Sequence, residues 1–168
     1  KTSETEIFCR VNIDGKGVHN IETPIPFFTH MLEQVSKHSM IDMDIECKGD
    51  IEIDAHHTVE DMGWALGEVI NKALFNRAGI NRFASLSLPM DDTLTSCSLD
   101  VSGRPWLQWK VVLPNIKIGN IDSEIFQEFF RAFSQSAKMT IHIENQYGIN
   151  AHHIIESCFK VLAVCLKN

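Results

Sequence analysis

The pentapeptide His-His-x-x-Glu occurs twice, as "HHTVE" at 56–60 and as "HHIIE" at 152–156. The copies are offset by 96 residues (152 minus 56) in a chain of 168. On a helix, adjacent residues diverge by about 100°, whereas residues three or four apart share a face. Glu60 therefore lies beside both His56 and His57, and Glu156 beside His152 and His153, while each pair of imidazoles points in two directions. One motif does not easily close all its ligands around one ion. Two motifs can build two ion sites between them, each helix lending one imidazole to each site. That requires the two helices to meet, within one chain or across a subunit boundary. The donors are nitrogen and carboxylate without thiolate. Such a set suits a first-row divalent ion with open positions: manganese or iron where substrate must add ligands, with zinc as the tetrahedral rival. The order is not the zinc-peptidase His-Glu-x-x-His, where the Glu between the histidines is the general base. Adjacent histidines near a helix start are also ordinary polar side chains, but their recurrence at matched places favours metal.

Other residues extend the set. His30 in "FFTHML" and His38 lie eight apart (38 minus 30), about two helical turns along one side. His142 in "TIHI" alternates with Ile141 and Ile143 on a strand, and its role is open between ligand, support for a ligand and structural side chain. Arg82 in "GINRF" and Arg104 in "SGRP" fall at turn or strand ends, where a guanidinium can fork onto a phosphate. Arg131 is a further cation. Lys160 stands one turn after Glu156 on the same helix face, as an anion contact or as a Glu–Lys pair worth a few tenths of a kcal/mol.

The elements that must position these residues show period-2 and period-3.6 patterns. "ETEIFCRVNID" alternates and meets the turn "DGKG", a strand followed by a hairpin signal. "FFTHMLEQVSKHS" repeats Phe28, Met31, Leu32 and Val35 at helical spacing. "MIDMDIECKGDIEID" predicts two short strands around Gly49-Asp50, and "HTVEDMGWALGEVINKALFN" a long helix stopped near Gly79. The second half runs in a related order: strands through "RFASLSLPMDDTLTSCSLDVSGRPWLQWKVVLP" with turns at "MDD" and "SGRP", a helix at "SEIFQEFFRAFSQSA", a strand at "KMTIHIEN" and a helix from "HHIIE". Half-repeats 1–81 and 82–168 are each marginal alone, which predicts one compact α/β domain with a shared helical layer between two sheets.

Composition narrows the function classes. Hydrophobic content of 44% and charged content of 22% are ordinary for a globular chain. A formal charge of −7 argues against nucleic acid or an anionic membrane surface as partner. No apolar run approaches the roughly 18 residues of a membrane span, and "KTSETEIFCR" has no signal-like apolar stretch. Five cysteines without a C-x-x-C spacing read as reduced, buried side chains, so the expected location is cytoplasmic.

The series "ETEIFCRVNIDGKG", "PFFTHML", "GDIEIDAHHTVED", "GINRF", "PMDDTL", "LDVSGRP", "TIHIE" and "NAHHIIESCFK" resembles the imidazoleglycerol-phosphate dehydratase family, in order over nearly the whole chain. The resemblance implies dehydration of imidazole glycerol phosphate to imidazole acetol phosphate in histidine biosynthesis, with two manganese ions and no organic cofactor. It implies a duplicated α/β sandwich similar to ribosomal protein S5 domain 2, a helical bundle between two four-stranded sheets. It also implies a 24-subunit homo-oligomer with active sites between subunits. By motif position His30, His56, His57, Glu60, His152, His153 and Glu156 are the implied metal ligands. Glu4, Gln34, His38, Arg82, Arg104 and Lys160 are the implied lining of the substrate site.

The chain departs from the family pattern in places. Glu128 in "EIFQEFF" stands where many members have a metal-binding His, and it matches His30 when the halves are superposed, so a carboxylate is the expected substitute ligand. Thr29 replaces an Asp and Pro24 a Gly, and the residues up to Asn168 do not include the family's Ser-x-Lys-Gly tail. In the expected mechanism the metals stabilise negative charge on the imidazole ring, which expels the adjacent hydroxyl. Glu4 is then the expected base for the neighbouring proton, with metal-bound Glu60 or Glu156 as runner-up. A dinuclear-metal hydrolase of a phosphorylated small molecule is the enzymatic alternative. A metal store or scaffold is the non-enzymatic one, and it has no need of Arg82, Arg104 or Lys160.

Overall fold

The computed structural model describes residues 1–113, 117–119 and 121–168. The chain opens with strands β1 (Thr5–Asn12) and β2 (His19–Glu22), helix α1 (Pro26–Ser39), strand β3 (Asp42–Gly49) and helix α2 (His56–Ala73). It continues through β4 (Phe83–Met90), β5 (Thr93–Asp100) and β6 (Trp106–Lys110), a short antiparallel pair β7 (Lys117–Ile118) and β8 (Ile121–Asp122), then α3 (Ile125–Ala137), β9 (Thr140–Tyr147) and α4 (Ala151–Lys167).

Both large sheets repeat one wiring. In the first, of order β1-β3-β2, β1 runs antiparallel and β2 parallel to β3. In the second, of order β4-β5-β9-β6, β5 runs antiparallel and β6 parallel to β9. The element without a counterpart is β4, so among the described residues the first sheet has three strands rather than the expected four. A second correction concerns "DIEID": β3 ends at Gly49, and Ile51 and Ile53 are exposed, at 42% and 75%, in a turn leading into α2. Among the described residues the apolar alternation there has no neighbouring strand to pair with. The long helix also stops early, at Ala73, because Phe75 and Arg77 enter positive φ.

Burial follows the alternation expected of one-sided sheets. Met43, Ile45 and Cys47 of β3 and Cys97, Leu99, Ile141 and Ile143 of β5 and β9 face inward and are buried. Helices α1 and α2 cover the first sheet, α3 and α4 the second, and the layers meet as α1 on α4 and α2 on α3. At the first seam Phe159 is surrounded by Phe28, Phe126, Phe129 and Phe130, the last with ring centroids 4.8 Å away. At the second, Gly63 and Gly67 let α2 lie directly on the α3 backbone. A Cβ at Gly63 would stand 2.5 Å from the Phe129 carbonyl oxygen, and one at Gly67 would stand 2.7 Å from that of Phe133. The Ser136 hydroxyl crosses the seam to the Gly63 carbonyl at 3.3 Å.

The duplication reaches individual side chains. Helices α1 and α3 both end on a left-handed residue without glycine, Met40 (φ 64) and Lys138 (φ 55). That conformation costs a residue with a Cβ about 1–2 kcal/mol. In each case a buried serine four residues earlier braces the turn: Ser36 donates to Ile41 O at 2.7 Å, and Ser134 to Met139 O at 2.9 Å.

Candidate active site

Both His-His-x-x-Glu motifs sit in the first turn of a helix, where backbone N–H groups need partners. Asp54 accepts from His56 N at 2.7 Å, and Asn150 accepts from His152 N at 2.9 Å and His153 N at 3.4 Å. Asn150 is the N-cap of α4, while Asp54 braces the turn one residue ahead of Ala55, the N-cap of α2, and both bonds fix where the imidazoles emerge.

At α4 the side chains gather around Glu156, which is only 7% exposed. His152 Nε2 lies 3.0 Å and His30 Nε2 3.8 Å from one carboxylate oxygen, and Lys160 Nζ lies 2.6 Å from the other. Burial pushes the Glu156 carboxyl up, but the Lys160 ammonium, with His152 and His30, holds it below the usual glutamate value. It is an anion within a nitrogen-rich cluster. His38, one further step along α1, is shifted toward the neutral imidazole by burial and then by the Lys160 charge. Phe27 packs edge-on against His152 at 5.0 Å and limits rotation of that ring.

At α2, His56 Nε2 lies 3.3 Å from Glu60. His57 Nδ1 meets Asp50 Oδ2 at 3.0 Å, and this hydrogen bond raises the imidazole's affinity for a proton. In the other half, His153 Nδ1 meets Asp92 Oδ1 at 2.5 Å, and Asp92 Oδ2 also accepts from the backbone N–H of Ile149 and Asn150. The His153 bond, then the two backbone bonds, hold the Asp92 carboxyl far below the ordinary range. Asp50 and Asp92 escaped the reading of the sequence, which took "GD" and "MDD" as turns. An acid six residues before a tandem histidine was the available signal for Asp50; Asp92 had none short of the tertiary fold.

The remaining sites fall as follows. Glu4 is half-buried and accepts from Ser3 Oγ at 2.6 Å, which lowers its pKa, and its charge reaches His57. Both oxygens of Glu128 face the Arg131 guanidinium, at 3.0 and 2.7 Å. Arg82 and Arg104 converge on Asp100. Gln34 is half-buried on α1, and Thr29 shares a hydroxyl contact with Thr23 at 2.9 Å. His142 is exposed on β9, between the inward Ile141 and Ile143, and so lies on the sheet face opposite the helices. That is a surface position away from both motifs.

The donor set suits a hard-to-borderline divalent ion: imidazole nitrogens beside carboxylates, with no cysteine in either cluster. One chain presents this set in two portions. Among the described residues no three of its His, Cys, Asp and Glu side chains enclose an ion, and no hydrogen bond or ion pair joins the α2 motif to the α4 motif.

The fold and these clusters define a class, a duplicated α/β sandwich that displays one imidazole–carboxylate motif at a helix start in each half. The sequence model of imidazoleglycerol-phosphate dehydratase matches residues 23–166. A protein of that name from Agrobacterium fabrum is 54% identical over 167 residues, covering 99% of this chain and 84% of its own length. One from Sinorhizobium fredii is 52% identical over 167 residues, with 99% and 83% covered. The crystal structure of the Staphylococcus aureus dehydratase superposes with a TM-score of 0.90 at 33% identity, covering 96% of this chain and 91% of that one. That of Pyrococcus furiosus gives 0.86 at 31%, covering 99% and 89%. The chain belongs to the imidazoleglycerol-phosphate dehydratase family.

Proposed function

We propose that this chain is a hydro-lyase that converts imidazole glycerol phosphate to imidazole acetol phosphate, a step of histidine biosynthesis. The observation that carries the reading is the 54% identity to a dehydratase over 99% of the chain. Both His-His-x-x-Glu motifs are intact at the starts of α2 and α4. Two manganese ions, held by His30, His56, His57, Glu60, His152, His153 and Glu156 with Glu128 as a further carboxylate, supply Lewis acidity for charge on the substrate's ring. The chemistry of the donors supports that choice.

The chain's own groups do the rest. Arg82, Arg104 and Lys160 offer cations to the phosphate; Asp100 fixes Arg82 through two hydrogen bonds and keeps Arg104 nearby through a longer ion pair. Gln34 and His38 line the substrate from α1. Glu4 takes the proton from the carbon beside the departing hydroxyl, and the resulting enol becomes the ketone. The Ser3 hydrogen bond lowers its pKa and so keeps the carboxylate ionised at rest, ready to accept a proton.

Since one chain carries the motifs in separate portions, the working enzyme in this reading is a homo-oligomer with active sites between copies, and 24 subunits is the number proposed for it. Exposed Ile53, Phe75 and Ile149 offer apolar surface for such contacts. Among the described residues no helix is long and apolar enough to cross a membrane, and all five cysteines are free, which supports a cytoplasmic site of action.

The test is a dehydration assay on imidazole glycerol phosphate with metal stoichiometry measured on the same purified sample. Two manganese ions per chain with ketone formation support the reading. Turnover of phosphate esters in its place would transfer the assignment to a dinuclear hydrolase.

A further inference from the structure

We propose that Asp50 and Asp92 are positioning residues that aim His57 and His153, and that their unequal origins in the two halves leave Glu4 free to work as a base. The inference rests on the metal-dependent reading above.

Each carboxylate occupies the Nδ1 side of its histidine, Asp50 on His57 at 3.0 Å and Asp92 on His153 at 2.5 Å. An imidazole whose Nδ1–H donates to a carboxylate keeps its lone pair on Nε2 and loses its freedom to flip. Both rings are therefore left with Nε2 as the acceptor nitrogen, from equivalent places in the duplicated fold, and that of His153 has Asp91 Oδ2 3.7 Å away.

The carboxylates themselves are not equivalent. Strand pairing sets Asn12 opposite Asp42 in the first half and Asp100 opposite Thr140 in the second. Counting back along β1 and β5 (100 minus 12 and 92 minus 4 are both 88), Asp92 corresponds to Glu4. At the other edge β9 carries one extra residue, where its register with β5 shifts between Leu94 and Thr95, so Gly49 and Gly148 take the same place. A Cβ at Gly49 would strike the Thr58 side chain and one at Gly148 that of Ile154, each two residues after the first histidine of its motif. Asp50 then corresponds to Ile149, an apolar residue that is 89% exposed.

The second half thus has no acid in the turn before its helix, and Asp92 reaches across from the β4–β5 turn. In the first half Asp50 already holds the ring. Glu4, at the position of Asp92, is left half-buried and holds no histidine nitrogen among the described residues: its side-chain partners are Ser3 at 2.6 Å and, more weakly, Thr2. The other oxygen of Asp50 is buried without a partner among the described residues, a cost that the fold alone does not require.

The experiment uses the full chain with manganese as the probe. Calorimetry should show a roughly tenfold to hundredfold loss of manganese affinity in Asp50→Asn, largely restored in Asp50→Glu, with an unchanged melting temperature. Among the described residues the Asp50 carboxylate accepts from no backbone N–H, and its backbone bond from Ile53 N to Asp50 O survives the change, so this variant avoids the loop damage that Asp92→Asn risks by weakening the turn at Ile149 and Asn150. Nitrogen NMR of the metal-free protein, above the imidazole titration range, should place the proton of His57 and His153 on Nδ1. Glu4→Gln should leave manganese affinity unchanged. Wild-type affinity in Asp50→Asn, or ring protons on Nε2, overturns the aiming role. A loss in Glu4→Gln equal to that of Asp50→Asn overturns the division of labour. If the wild-type chain takes up no manganese, the metal reading falls instead, and the ring protons still decide the aiming role.

Discussion

Asp100 holds Arg82 through two parallel hydrogen bonds, Nε to Oδ1 at 2.7 Å and Nη2 to Oδ2 at 3.1 Å. Arg104 Nη2 lies 3.8 Å from the same carboxylate, so one acid gathers two guanidinium groups at the end of β5. Arg82 is tied down, whereas Arg104 is 72% exposed and free to swing onto an anion. Arg104→Ala should lower kcat/KM for the phosphorylated substrate about tenfold to hundredfold, the worth of a charge-assisted hydrogen bond. The loss should appear mainly in KM, with thermal stability and metal content unchanged. Steady-state kinetics beside a melting curve decides this. An unaltered KM would remove Arg104 from the substrate site.

Glu4→Gln keeps the shape of the side chain and removes its ability to accept a proton. Turnover should drop by about two to four orders of magnitude, the range typical of a positioned general base. KM and manganese content should hold. Survival of kcat would hand the role to Glu60 or Glu156.

The seam between α2 and α3 offers a stability test far from the chemistry. Gly67→Ala forces a methyl group against the Phe133 carbonyl and Ser136, and should cost about 1–3 kcal/mol as an overpacking strain. A urea midpoint unchanged from the parent would show that the seam yields easily.

The fold was largely readable because its signals are local and repeated. Helices α1, α3 and α4 announce themselves by apolar spacing, and β1, β5 and β9 by alternation. Where alternation misled, at Ile51 and Ile53, the missing ingredient was a partner strand, which is a property of the tertiary fold. The imidazole and carboxylate motifs were legible for the same reason as the helices, since a spacing on one helix is written in the sequence. Asp92 was not, since its histidine lies 61 residues away and only the β4–β5 turn brings them together.

Acid should loosen the first sheet through Asp42. Its carboxylate accepts from the backbone N–H of Lys16 at 2.8 Å and of Val18 at 2.9 Å, which holds its pKa below the ordinary 3.8. A carboxyl with a depressed pKa in the folded state contributes stability that is complete above its unfolded value and is lost as pH falls through the folded one. Melting temperature should therefore decline below about pH 4, the ordinary aspartate range. Asp42→Asn should lie lower at neutral pH and decline less steeply. Parallel curves for the two proteins would clear Asp42 of the effect.

Chelation should abolish turnover and leave the subunit folded. The core around Phe159 and the α2–α3 seam is complete without any ion, so no metal is needed to close it. Activity restored by manganese after chelation, with an unaltered circular dichroism spectrum throughout, is the expected pair of readings. Collapse of the helical signal on chelation would make the metal structural.

The bare glycine surface of α2 has a consequence for how this polypeptide can be divided. Each hemisphere ends in a helix whose inner side is shaped to a mate supplied by the other. A chain cut in the connection between Ala73 and Phe83 should yield two fragments that find one another in solution and reconstitute the sandwich. Either fragment alone would be left with a raw hydrophobic wound.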